Sequence, residues 1–266
     1  MPPVGDPNYW QETHEPLNQE LDKVVRGPWA DRPPVEDVQL QLVPHYAGKH
    51  CLQSIRLSRL GNEGGAHAVA LGLLRDAVEA LSVVSLAISN HPRKIRLLSA
   101  WEEEKLTQGK LRQHLEADVW PGVTSTGLWG EPWADFWKNL AGAVQPYAHF
   151  SPLRMRWHQH IADCWQTDGK VKAIFCVNHP SGDFDLYRAA RIVAFQLVLF
   201  WAFAEIILAF KSAPAVHLET LRTLADEARP WLCANEVFFK DEKWEVQLMP
   251  FVYPLDRRYW RGSGET

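Results

Sequence analysis

A few residues in this 266-residue chain have types and spacings that chemistry uses. Arg75 and Glu79 stand four apart in an apolar run over 66–90. On a helix they share one face. The pair then either stabilises the helix by ~0.3 kcal/mol, as exposed i,i+4 ion pairs do, or lines a cleft with opposite charges. His149 sits in Tyr147-Ala148-His149-Phe150-Ser151-Pro152, where one helix is expected to end and another to begin. An imidazole there can act as acid, base or phosphate contact, or it can cap the last carbonyls of its helix. Arg154 and His160 are separated by five residues. A histidine can deprotonate a ribose 2′-hydroxyl while an arginine holds the charge developing on the phosphate. A chain this rich in Arg and His also produces that spacing by chance. His160, Asp163 and Cys164 fall within one turn of an expected helix. Three such groups suit a metal, but no fourth ligand stands at a recognisable distance, so no metal is expected. The chain has no phosphate-cradling Gly loop, dinucleotide fingerprint, Gly-x-Ser-x-Gly elbow or His-Glu-x-x-His, so no cofactor is expected either.

The elements that would position these residues are mostly helical. Residues 1–44 contain eight prolines (Pro2, Pro3, Pro7, Pro16, Pro28, Pro33, Pro34, Pro44) and read as an arm with one short helix over 17–25. Residues 45–266 read as a single helical domain. A helix over 46–60 ends at Gly61-Asn62-Glu63-Gly64-Gly65. Leu71, Leu74, Val78, Leu81, Val84 and Ile88 then recur at helical spacing through 66–90. Helices over 92–106 and 109–119 follow, and then a loop over 120–131 carrying Trp120 and Trp129. Trp133, Phe136, Trp137, Leu140, Val144 and Tyr147 stripe a helix that begins near Pro132 and whose last turn Pro146 interrupts. Ser151-Pro152 resembles an N-cap and first-turn proline, which predicts a helix over 151–166. Residues 171–177 (VKAIFCV) have strand composition. An apolar helix starting at Ser181 or Asp183 and a helix over 216–228 precede a hairpin over 237–248, which either stands alone or pairs with the 171–177 strand. The expected fold class is mainly α, a multi-helix bundle with a small β-hairpin or three-stranded element near the C-terminus.

The run Leu73-Leu74-Arg75-Asp76-Ala77-Val78-Glu79-Ala80-Leu81 resembles the first core helix of uncharacterised bacterial helical proteins placed near the HEPN superfamily. The charged, Trp-containing segment 93–104 and the Tyr147-to-Ser151 junction extend the resemblance over about 46–168. It implies metal-independent RNA cleavage across a homodimer, with catalysis drawn from Arg75, Glu79, His149, Arg154 and His160. Trp157 and extra basic residues crowd the Arg154–His160 interval and depart from the family's usual polar pattern.

Composition sets outer bounds. Formal net charge is −4, against the basic face by which general nucleic-acid binders grip phosphates, although a local RNA pocket stays open. Thirteen Trp residues either fill a large helical core or carry an interface. Four scattered cysteines, with neither a secretory nor a transit-type N-terminus, suggest reduced thiols and a cytoplasmic protein. The stretch over 189–210 nearly spans a bilayer in length, but Arg191, Gln196 and Glu205 interrupt it, so a buried central helix is expected. Two functions follow. One is a non-enzymatic interaction protein that binds a protein partner through its arm and Trp-rich loop. The other is a HEPN-like, RNA- or nucleotide-directed activity in a stress or defence setting.

Overall fold

A computed structural model of the chain describes residues 14–29, 38–147, 157, 159–167, 170–177 and 186–234. These residues are mainly helical. The helices are α1 (Glu15–Arg26), α2 (Val38–Glu63), α3 (His67–Ile88), α4 (Lys94–Glu102), α5 (Gln108–His114), α6 (Trp133–Val144), α7 (Leu186–Phe210) and α8 (Ala215–Ala234). A two-stranded antiparallel hairpin, β1 (Gln159–Thr167) and β2 (Lys170–Val177), lies between α6 and α7.

The long α2 and α3 are joined by a three-residue turn and pack along each other. Gly65 makes the turn at φ +76°, a conformation a side chain resists. The Gly64 and Ala66 amides donate to the Leu60 and Gly61 carbonyls and close the end of α2. α7 is the centre of the core, with α1, α2, α3 and α8 packed around it. Leu197 to Ala204 are all fully buried. Among the described residues one helix, Arg188–Phe210, is long and apolar enough to cross a membrane, and most of it is buried inside this fold. Its polar residues have partners there. Gln196 donates to the Ser58 hydroxyl at 3.0 Å, and Asn62 of α2 donates to the Ala189 carbonyl at 3.0 Å.

Every described Trp side chain is buried or half-buried. Trp120 stacks on Trp137 with ring centres 5.4 Å apart. Trp133 and Phe136 meet Trp201 of α7 edge-on at 5.9 and 5.5 Å. Edge contacts of this kind aim a positive ring edge at a negative ring face. The Trp side chains that the structure describes are therefore core material.

Several expectations are corrected. The arm boundary at 44 falls inside α2, which starts at Val38 and runs through Pro44. A single proline removes one backbone hydrogen bond, and a helix of 26 residues held against a core tolerates that loss. α1 also belongs to the core: Leu17, Leu21, Val24 and Val25 are buried. Its Glu20 holds His217 of α8 at 2.6 Å. The helix expected over 151–166 is absent where residues are described, because 159–167 form β1. The sequence His160-Ile161-Ala162-Asp163-Cys164-Trp165 repeats polar-apolar-apolar, which reads as helical spacing, and pairing with the 170–177 run, through a register shift between Ile161 and Asp163, makes it a strand. The helix expected over 109–119 stops at His114 and continues as a π-helical turn, Leu115–Val119. The hairpin expected over 237–248 lies outside the described residues.

Candidate functional site

The sequence-derived site residues do not assemble into one centre among the described residues. Arg75 and Glu79 lie on α3 and form the expected ion pair, with side chains 18% and 25% exposed. Asp76 adds a weaker contact to Arg75 at 3.8 Å. The Arg75 Nε is buried without a hydrogen-bond partner. His149 and Arg154 lie outside the described residues. His160 is on β1, opposite Cys176. The spacing of His160, Asp163 and Cys164 within one turn supposed a helix there, and the strand removes that geometry. No group of three or more ligating side chains suited to a metal occurs among the described residues. Burial pushes the Cys51 thiol far up, which suits a packing role for it.

The Trp-rich loop faces inward. Trp120 and Trp133 are buried and Trp129 is half-buried, so these rings do not form an open docking surface. α8 clamps the loop to the body. Arg229 donates to the Thr126 hydroxyl and the Gly127 carbonyl, both at 2.8 Å, while its guanidinium lies 5.9 Å from the Trp201 ring centre. The Cys233 thiol reaches the Leu128 carbonyl at 2.9 Å. Glu205 of α7, the odd carboxylate of the apolar helix, accepts a hydrogen bond from Ser125 at 2.7 Å.

Burial pushes the Glu205 carboxyl above its ordinary range, and the Ser125 hydrogen bond and Arg229 only partly oppose this. The folded state therefore binds the Glu205 proton more tightly than the unfolded chain does. That contribution to stability is present in acid and is lost as pH rises through the folded-state value. Glu205→Gln keeps an acceptor for Ser125 and removes the charge. It is expected to raise the melting temperature relative to wild type at about pH 8, with the gap closing towards about pH 4. Parallel thermal melts across that range check the sign.

Two surface features were not singled out from sequence. The first is the outer face of α2. Tyr46, Leu57 and Leu60 are 60%, 44% and 54% exposed. His50 and Gln53 are also exposed. The positions 46, 50, 53, 57 and 60 advance by four and three, so they form one stripe about 80° wide. Exposed Lys49 and Arg56 line one edge of it. Arg59 lies beyond, paired with Glu63 at 2.7 Å. The spacing was readable, but only the fold shows which side of α2 faces solvent.

The second feature is a polar cluster around Asp118. Arg93 Nη2 contacts Asp118 Oδ2 at 2.5 Å, His91 Nε2 approaches the same oxygen at 3.6 Å, and His114 Nδ1 at 3.9 Å. His114 and Asp118 are four apart, a pairing visible in the sequence, whereas His91 and Arg93 come from a distant segment. The π-helical turn carries Asp118, and such turns often occur at functional sites.

Comparison of the chain with protein-family models, curated proteins and solved structures finds no match.

Proposed function

We propose that this protein is a non-enzymatic interaction protein and that its docking surface is the outer face of α2. The observation that carries this reading is the solvent-facing Tyr46, Leu57 and Leu60 stripe beside Lys49 and Arg56. Large apolar side chains gathered on one helix face and edged with charge mark interaction surfaces more often than scattered ones do. The partner that fits is an acidic amphipathic helix of another protein, with apolar residues at i, i+3 or i+4, and i+7 and carboxylates along one edge. A second copy of this chain fits less well, because pairing α2 with α2 sets Lys49 and Arg56 against their own kind. The Trp-rich loop is not needed in this account, since its rings are used internally.

The test is fluorescence titration with a labelled acidic amphipathic helical peptide and its charge-reversed, lysine-substituted counterpart. The acidic peptide is expected to bind, more weakly as salt rises. Leu57→Asp with Leu60→Asp should weaken binding by at least about tenfold, with an unchanged far-ultraviolet circular dichroism spectrum. Equal binding of the two peptides, or no effect of the double substitution, overturns the reading.

A second reading, an RNA-directed activity, draws on the same basic edge and on the half-buried Arg75–Glu79 pair. Single-stranded RNA in the same titration, followed by analysis of cleavage products for wild type and Arg75→Ala, decides it. RNA that binds and is cut by wild type alone favours this second reading.

A further inference from the structure

The Asp118 cluster is built as an oxyanion cradle that its own carboxylate occupies. Nitrogens of three residues from two segments, His91 and Arg93 from one and His114 from the other, converge on the single oxygen Oδ2. The Arg93 backbone N–H donates to His91 Nδ1 at 3.2 Å. A neutral His91 ring therefore carries its proton on Nε2, and that N–H faces Asp118. This tautomer makes His91 a donor, so the cluster suits an anion and not a metal cation. The His91 side chain is only 6% exposed, yet its Nε2 stops 3.6 Å from the carboxylate oxygen, beyond hydrogen-bond reach. The Nε2 donor of this largely buried ring is thus aimed at an acceptor just beyond its reach.

The surroundings favour added negative charge. Arg93 is the N-cap residue of α4, no side chain caps that helix, and its first turn holds no acidic residue. The unpaired amides and the dipole of a helix N-terminus attract anions. Arg93, His114 and Asp118 side chains are 51%, 34% and 32% exposed, so the cluster opens to solvent.

We propose that this cluster binds the terminal phosphate of a phosphate monoester, which displaces the Asp118 carboxylate from Arg93, His91 and His114. A monoester phosphate fits for two reasons. It presents three oxygens to donors that a single carboxylate oxygen cannot all reach. It also carries close to two negative charges near neutral pH, whereas a carboxylate or a phosphodiester carries one. The part that moves is the Asp118 side chain, which is 32% exposed, while the buried Leu115, Val119 and Trp120 hold the backbone of the turn in place. This site is separate from the α2 docking face and does not depend on that reading.

The test is calorimetric titration of the full chain with inorganic phosphate, a nucleoside 5′-monophosphate and dimethyl phosphate. Both monoester-type anions are expected to bind saturably, and dimethyl phosphate is not. Asp118→Asn removes the competing charge and is expected to tighten phosphate binding by about tenfold. Adding Arg93→Ala and His114→Ala to that variant should abolish it. If Asp118→Asn does not fold, nuclear magnetic resonance of the wild-type histidine rings takes its place. The His91 and His114 signals are then expected to shift with phosphate, while His217 stays fixed. Absence of saturable binding by wild type and Asp118→Asn, equal binding of dimethyl phosphate, or histidine signals that do not respond overturns the proposal. So does tight binding that survives loss of Arg93 and His114.

Discussion

Trp201→Ala is expected to destabilise the protein by about 3–5 kcal/mol, the range for removing a large buried aromatic side chain. Trp201 is fully buried in α7. It joins the central helix to α6 through Trp133 and Phe136. It also faces the Arg229 guanidinium that holds the Trp-rich loop. Alanine leaves a cavity at the meeting point of three segments and takes away the aromatic face beneath Arg229. The loss should therefore exceed that of an aliphatic truncation elsewhere in α7. Trp201→Phe is the matched control. The Trp201 indole N–H is buried without a hydrogen-bond partner, so phenylalanine keeps most of the ring contact and gives up no hydrogen bond. It leaves a smaller cavity than alanine does, so its cost should be well below the loss caused by Trp201→Ala. Urea unfolding followed by circular dichroism measures both. Similar losses for the two variants would mean that the indole contributes something other than packing.

Gly127→Ala should cost about 1–3 kcal/mol by overpacking. A methyl group on Gly127 would run into the carboxyl carbon of Glu131 and lie 2.6 Å from its Oε1 and 2.7 Å from Cβ of Phe136. The Glu131 side chain can swing away only by giving up the hydrogen bond it accepts from the Trp129 amide at 2.9 Å. The Phe136 Cβ cannot, because it is fixed to the backbone of α6 and its ring is packed on Trp201. The loop must then lift, although the Gly127 amide is bonded to the Glu131 carbonyl at 2.8 Å and its carbonyl to Arg229. The expected signs are a lower urea midpoint and altered Trp fluorescence without loss of helix signal. A change within about 0.5 kcal/mol, typical of unconstrained surface substitutions, would show that the loop is not held as closely as these distances indicate.

Local pattern carried much of the fold and little of the site. α3 and α7 were legible because an apolar helix buried on most sides leaves a long, nearly uninterrupted signal. The Gly64-Gly65 turn was legible because only glycine accommodates its backbone cheaply. α1 was legible as a short helix, but its place in the core was not, since flanking prolines describe chain stiffness and not what a helix packs on. β1 was misread for a physical reason: its polar-apolar-apolar repeat reads as helical, and only pairing with β2, which no local pattern announces, makes it a strand. Arg75 and Glu79 were found because their partnership lies within a single helix. The Asp118 cluster escaped because Arg93 and Asp118 are 25 positions apart. The inward turn of the Trp loop escaped because its clamps, Arg229 and Cys233, lie 102 to 105 positions away.

Hydroxyl-radical footprinting, with and without the acidic amphipathic peptide, tests the docking face of α2 most directly. Oxidation of Tyr46, Leu57 and Leu60 is expected to fall when the peptide is bound, while the half-buried Trp129 keeps its free-state rate. Protection of Trp129 with unchanged rates at Tyr46, Leu57 and Leu60 would contradict the account and return the docking surface to the Trp-rich loop.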